Sequence, residues 1–130
     1  MEHRIPTSPK PWAETQTFWQ AANEDRLMIQ RCLDTGKAFF YPREHSPFSG
    51  RSHCEWFEAS GKGVIYSYSV MTRATPAYCI AYVELEEGPI ILTNIITDDF
   101  NQIKIGQSVK VVFVASDNGQ KVPVFTPEFH

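Results

Sequence analysis

The chain has 130 residues, with 42% hydrophobic and 21% charged side chains and a formal net charge of −3. That size and balance suit one compact unit, or two very small ones sharing a core, and exclude extensive disorder. The first sixty residues carry seven Lys/Arg against eight Asp/Glu and the remainder five against seven, so neither half offers the cationic stripe that supplies most of a nucleic-acid binder's affinity.

The N-terminal run IPTSPKPW is proline-rich and predicts an extended arm over residues 1–12. Residues 13–23 read as a helix, with Phe18, Trp19 and Ala22 on one face and Glu14 near its start, where an anion suits the helix dipole. Asn23 to Asp25 ends it, since Asn and Asp tolerate the left-handed conformation. Leu27–Arg31 reads as a short strand, LDTG as a tight turn and Ala38–Tyr41 as the returning strand. A second polar turn, HSPFSG, leads to another short strand near Glu55–Glu58. Two knuckles joined by short strands are the plan of a zinc ribbon, and residues 13–60 are taken as helix plus zinc-ribbon-like, rubredoxin-like head.

From Gly61 the pattern changes. Val64, Tyr66, Tyr68 and Val70 alternate with Ile65, Ser67, Ser69 and Met71, which is the period of a strand. Tyr78–Leu85 is a second strand, ended by the EEGP turn. Ile90–Ile96 is a third, so apolar that both its faces are expected to be covered. Residues 98–105 form a short helical or irregular crossover opened by Asp98 and Asp99. Val109–Val114 is a fourth strand, DNG a hairpin turn and Val122–Phe125 the fifth strand. Five strands with one longer connection between the third and fourth predict a five-stranded OB-fold barrel over residues 61–130 in a mainly β protein.

Three cysteines, Cys32, Cys54 and Cys79, cannot build a disulfide framework. With neither a signal-peptide core nor a run near the roughly twenty apolar residues of a membrane span, the protein is read as cytoplasmic, with reduced thiols. The first knuckle is Cys32-Leu33-Asp34-Thr35-Gly36 and the second Ser46-Pro47-Phe48-Ser49-Gly50. Both keep the spacing and trailing glycine of a zinc knuckle, yet of Cys32, Thr35, Ser46 and Ser49 only the first is a ligand type. No bound zinc, and no other cofactor, is expected. Cys32, His45, His53 and Cys54 are a substitute ligand set, although adjacent His53 and Cys54 would point to opposite faces of a strand.

Catalytic residues are not evident. Cys79 sits mid-strand as a small core residue, and Glu84, Glu86 and Glu87 read as the solvated lip of a turn; a stand-alone thioesterase using Glu84 or Cys79 is one alternative. Tyr66, Tyr68, Tyr78 and Tyr82 lie on two neighbouring strands and are the candidate ligand-stacking residues, with Arg43 and Arg73 as candidate anion contacts. A single-stranded nucleic-acid-binding OB protein is the other alternative, since OB folds use such faces to stack bases.

The stretch FWQAANEDRLMIQRCLDTGKAFFYPR, followed by SPFSG, GKGVIYSYSVMTR, AYVELEEGPIILTNI, IKIGQSVKVVF and VPVFTPE, resembles family thirty-five of the domains of unknown function, over residues 17–128. In that family the knuckles read Cys-x-x-Cys-Gly and Cys-Pro-x-Cys-Gly, which places the ligand positions at Cys32, Thr35, Ser46 and Ser49. The helix usually ends in Glu-Gly-Arg-Leu, and Asp25 stands where that glycine would be. The resemblance implies a rubredoxin-like ribbon followed by an OB fold. It also implies a non-catalytic accessory or scaffold subunit of a hetero-oligomer with a thiolase-like acyltransferase, condensing enzyme, aldolase or acyl-CoA hydratase. Acyl-CoA is the implied ligand, bound or shielded at its thioester; neither nucleic acid nor membrane is an implied partner.

Overall fold

The structure, a computed structural model, describes residues 5–6, 8–9 and 15–128. The remainder of the predicted arm, the start of the predicted helix with Glu14, and the last two residues lie outside that description. One α-helix, α1 (Gln16–Ala22), precedes eight strands: β1 (Met28–Cys32), β2 (Ala38–Phe39), β3 (Cys54–Glu58), β4 (Lys62–Met71), β5 (Tyr78–Leu85), β6 (Ile90–Ile95), β7 (Ser108–Ala115) and β8 (Lys121–Pro127).

The first three strands form an antiparallel sheet in the order β2-β1-β3. The other five close into a barrel in the order β4-β5-β6-β8-β7, with β7 returning to β4. All its pairings are antiparallel except β6 with β8, which meet in parallel at Ile95 and Phe125. That parallel closure follows from the crossover between β6 and β7, which contains a short 3-10 turn at Phe100–Gln102 capped by Asp99. The result is the OB-fold barrel, with a helix and a zinc-ribbon-like sheet at its N-terminal side.

Alternation along the strands builds the barrel interior. In β5, Cys79, Ala81, Val83 and Leu85 are buried and Tyr82 and Glu84 are exposed. Ile65, Ile91, Ile95, Val109 and Phe125 join them. The core continues without a break into the head through Phe18, Leu27, Ile29 and Ala59. Gly63 is required where β4 crosses β5, because an added Cβ would lie 2.5 Å from the Glu84 carbonyl oxygen.

The helix end is fastened to the β7–β8 hairpin. Gln120 donates to the Trp19 carbonyl at 2.9 Å, the Lys121 N–H donates to Asn23 Oδ1 at 3.0 Å, and Lys121 Nζ lies 2.8 Å from Asp25 Oδ1. Asp25 has φ 61°, the only positive value outside glycine among the described residues. The aspartate therefore adopts a left-handed turn of the kind that favours glycine. Ser8 of the arm reaches the same hairpin: its hydroxyl contacts Ser116 and Asp117 and accepts the Asn118 N–H at 3.1 Å.

Two expectations fail at the strand level. β6 is not covered on both faces: Ile91, Thr93 and Ile95 are buried while Ile90 and Leu92 are exposed. Apolar content alone cannot distinguish a buried strand from one that shows an apolar face outward. β4 also does not keep one alternation throughout. A bulge between Ile65 and Ser67 shifts the register, so Tyr68 and Val70 pair with Ala81 and Cys79, both buried barrel positions.

Candidate functional site

The two knuckles are built alike. The N–H of the first ligand position donates to the carbonyl five residues on, Cys32 to Lys37 and Ser46 to Arg51, each at 2.8 Å. The glycine N–H donates back to the first position, Gly36 to Cys32 at 2.7 Å and Gly50 to Ser46 at 2.9 Å. Both glycines have φ 74°. The hydroxyl at the second position accepts the amide two residues on, Lys37 to Thr35 and Arg51 to Ser49, each at 3.3 Å. Ser46 Oγ accepts from the Phe48 and Ser49 amides at 3.0 and 3.3 Å. These turns thus hold their shape through amide–hydroxyl bonds.

The four ligand positions converge. Cys32 Sγ is buried and lies 3.7 Å from Ser49 Oγ. Burial pushes the Cys32 thiol up, but hydrogen bonds from the Ser46, Thr35 and Ser49 side chains and from the backbone at Thr35 outweigh it and lower the thiol to about 6. The Cys32 sulfur sits where a zinc knuckle would hold its metal, and hydroxyl donors surround it instead. A structural zinc needs four thiolate or imidazole donors; one thiolate and three hydroxyls already engaged with amides do not fit it.

The substitute set does not assemble. His45 and His53 are exposed, and His53 Nδ1 lies 3.1 Å from Asp34 Oδ1. Hydrogen bonds from His53 and Ser49 hold the Asp34 carboxyl below its ordinary value. Cys54 faces Cys32 across β1 and β3. Among the described residues no cluster of three or more His, Cys, Asp or Glu side chains has metal-binding geometry.

The four tyrosines do not share one surface. Tyr66, on the bulge, and Tyr82 are exposed on the barrel wall at 59% and 47%. Tyr68, 39% exposed, donates its hydroxyl to the Ile103 carbonyl at 3.0 Å. Tyr78 is half-buried beside a small cavity lined by Pro6, Ala77 and Asn94. Arg43 and Arg73 are both exposed: Arg73 lies in the β4–β5 turn, while Arg43 borders a polar recess with Gln30, Ser52, Cys54 and Trp56.

Sequence reading missed three features. Gln30 is buried and its side-chain amide pairs with the Arg43 backbone in both directions, at 2.8 and 2.6 Å, acting as an extra backbone rung. Glu87 is not merely a turn lip: its carboxylate accepts the Ser60 N–H at 2.8 Å. The third is an exposed apolar wall. Pairings Val64–Glu84–Ile90 and Tyr82–Leu92 lay Val64, Tyr82, Ile90 and Leu92 side by side, with Tyr66 adjacent and Leu92 58% exposed. This wall runs into a groove of about 400 Å³ between barrel and head, lined by Phe18, Trp19, Phe40, Tyr41, Tyr82 and Leu92. The buried Trp19 Nε1 has no hydrogen-bond partner among the described residues. Alternating exposed apolar positions on β5 and β6 were the available signal for the wall.

Cys79 faces into the barrel and Glu84 out of it, on opposite faces of β5. Burial pushes the Cys79 thiol up to about 11. Glu84 is exposed between Val64 and Ile90.

Comparison with known proteins matches this layout. The profile described as the rubredoxin-like zinc ribbon domain of ChsH2 covers residues 19–51, and that described as the C-terminal OB-fold domain of ChsH2 covers residues 56–114. A DUF35 domain-containing scaffold protein of Methanothermobacter thermautotrophicus is 39% identical over 77% of this chain and 81% of its own length. The chain belongs to the DUF35 family. A second DUF35 scaffold protein, from Methanocaldococcus jannaschii, is 35% identical over 73% of each chain. A chain of the solved structure titled "Ltp2-ChsH2(DUF35) aldolase" superposes with TM-score 0.81 at 30% identity, covering 92% of this chain and 98% of that one. A probable enoyl-CoA hydratase alpha subunit of Thermomonospora curvata is 35% identical over 85% of this chain, which spans only 36% of that relative's length. Among the described residues of this DUF35 chain, no helix is long and apolar enough to cross a membrane.

Proposed function

We propose that this chain is a non-catalytic accessory subunit of a thiolase-like acyl-CoA enzyme, of the acyltransferase, condensing or aldolase type, and that it helps bind or shield the acyl thioester. The observation that carries the reading is near end-to-end likeness to the DUF35 chain of a solved aldolase structure, at 30% identity and TM-score 0.81. The outward apolar wall supports it. Val64, Tyr66, Tyr82, Ile90 and Leu92 form an exposed apolar surface, interrupted by Glu84, of the kind that marks an interface, with tyrosines as its anchoring side chains. The adjoining groove is of ligand-pocket size and apolar, which suits a partner's side chains or an acyl-pantetheine arm. The zinc-free head belongs to the same reading: thiolate–hydroxyl bonds and ring contacts such as Phe39 with Phe48, 6.2 Å apart, replace metal ligation.

The test is association. Size-exclusion chromatography with light scattering, on the chain mixed with the thiolase-like enzyme of its native host, is expected to give a hetero-oligomer. Leu92→Asp is expected to weaken it by about thirtyfold, the ~2 kcal/mol of an interface hot spot. Unchanged affinity in Leu92→Asp and Tyr82→Asp would remove the wall from the interface.

A further inference from the structure

Cys32 ends β1 and Cys54 begins β3, and the two are direct cross-strand partners. The Leu33 N–H donates to the His53 carbonyl at 2.9 Å. That bond lies just outside the cysteine pair, so Cys32 and Cys54 form a non-hydrogen-bonded pair of the antiparallel ladder. Such pairs are the closer kind, with Cα atoms about 4.5 Å apart. Disulfides bridge Cα separations of about 4.4–6.8 Å. Directly opposed residues also project to the same face of the sheet. Both thiols are free.

We propose that Cys32 and Cys54 are a reversible thiol-oxidation site that closes as a cross-strand disulfide within the head. Access comes through Cys54, which is partly exposed and borders the recess formed with Gln30, Arg43, Ser52 and Trp56. The oxidant is a low-molecular-weight disulfide. The Cys54 thiolate attacks one sulfur of the reagent, forming a mixed disulfide as the reagent's S–S bond breaks and the first small thiolate leaves. The Cys32 thiolate then attacks the Cys54 sulfur and expels the second. Two protein thiols lose two electrons and two protons, and the reagent is reduced to two small thiols. Excess small thiol reverses both steps. Cys79 takes no part, being buried in the barrel with no cysteine opposite it.

Closure has a local consequence. Cys32 Sγ turns to Cys54 and leaves its 3.7 Å contact with Ser49 Oγ, which ties the Ser46–Gly50 knuckle to the first. Oxidation is therefore a switch on knuckle order, independent of what the barrel wall binds.

The experiment equilibrates the reduced full chain in buffers of rising oxidised-to-reduced glutathione ratio. Acid quenching, denaturation, alkylation and intact-mass and peptide analysis follow. The expected result is a fall from three alkylated cysteines to one per chain, a mass two hydrogens lower before alkylation, and a peptide joining Cys32 to Cys54. Cys79→Ser is expected to keep the link and Cys54→Ser to abolish it. Amide exchange in residues 46–51 is expected to speed up in the oxidised form. Three reactive cysteines in the most oxidising buffer, a link through Cys79, or bridges only between chains would overturn the proposal.

Discussion

At the scale of single residues, one sulfur and three hydroxyls meet where the two knuckles converge. The folded Cys32 thiol titrates near 6 against an ordinary 9.0. The unfolded chain therefore holds one more proton between those values, and stability is expected to rise as pH increases through that window. It falls as pH drops through the folded value. Chemical denaturation at several pH values checks this, and Cys32→Ser is expected to flatten that slope. Because both knuckles keep the amide pattern and glycine φ of a ribbon, ligation is expected to be recoverable. The triple variant Thr35→Cys, Ser46→Cys, Ser49→Cys should bind stoichiometric zinc by elemental analysis, with thiolate charge-transfer bands on cobalt substitution. The four ligand positions were readable from spacing and glycines alone. The pull of three hydroxyls on one thiol was not, because it depends on two turns fourteen residues apart meeting in space. Gln30 was hidden for the same reason: a buried amide is recognised only once its Arg43 partner is placed.

At the scale of elements, helix α1 and all eight strands were legible, within a residue or two at most ends. Hydrophobic period and turn residues determine them together. What failed was facing. β6 was read as covered on both sides because every residue near its start is apolar. Tyr66 and Tyr68 were read as one face because a bulge inserts a residue that no alternation rule foresees. Tyr68 in consequence has a structural task. Tyr68→Phe is expected to cost about 1 kcal/mol by thermal or chemical denaturation, through loss of the bond to the Ile103 carbonyl. Gly63→Ala is expected to cost about 1–3 kcal/mol or more, since its methyl group would meet backbone rather than a flexible side chain. Asp25→Gly relieves a left-handed aspartate worth roughly 1 kcal/mol and gives up an exposed ion pair worth less, so stability is expected to hold or rise.

At the scale of the whole molecule, a single core links barrel to head, and the outer wall of β4, β5 and β6 continues into the groove beneath the aromatic side chains of the head. The shared core makes that wall and groove one surface rather than two. Composition pointed away from nucleic acid, and family resemblance toward an acyl-CoA enzyme's partner, but the wall itself emerged only from register. On the proposed reading, this surface serves another protein's reaction. Affinity capture of the full chain from its native host, followed by mass spectrometry and the native mass of the captured complex, tests it most directly. The expected result is a thiolase-fold enzyme held in fixed stoichiometry. A lone monomer with no such partner, coupled with acyl-thioester turnover by the isolated chain, would contradict it.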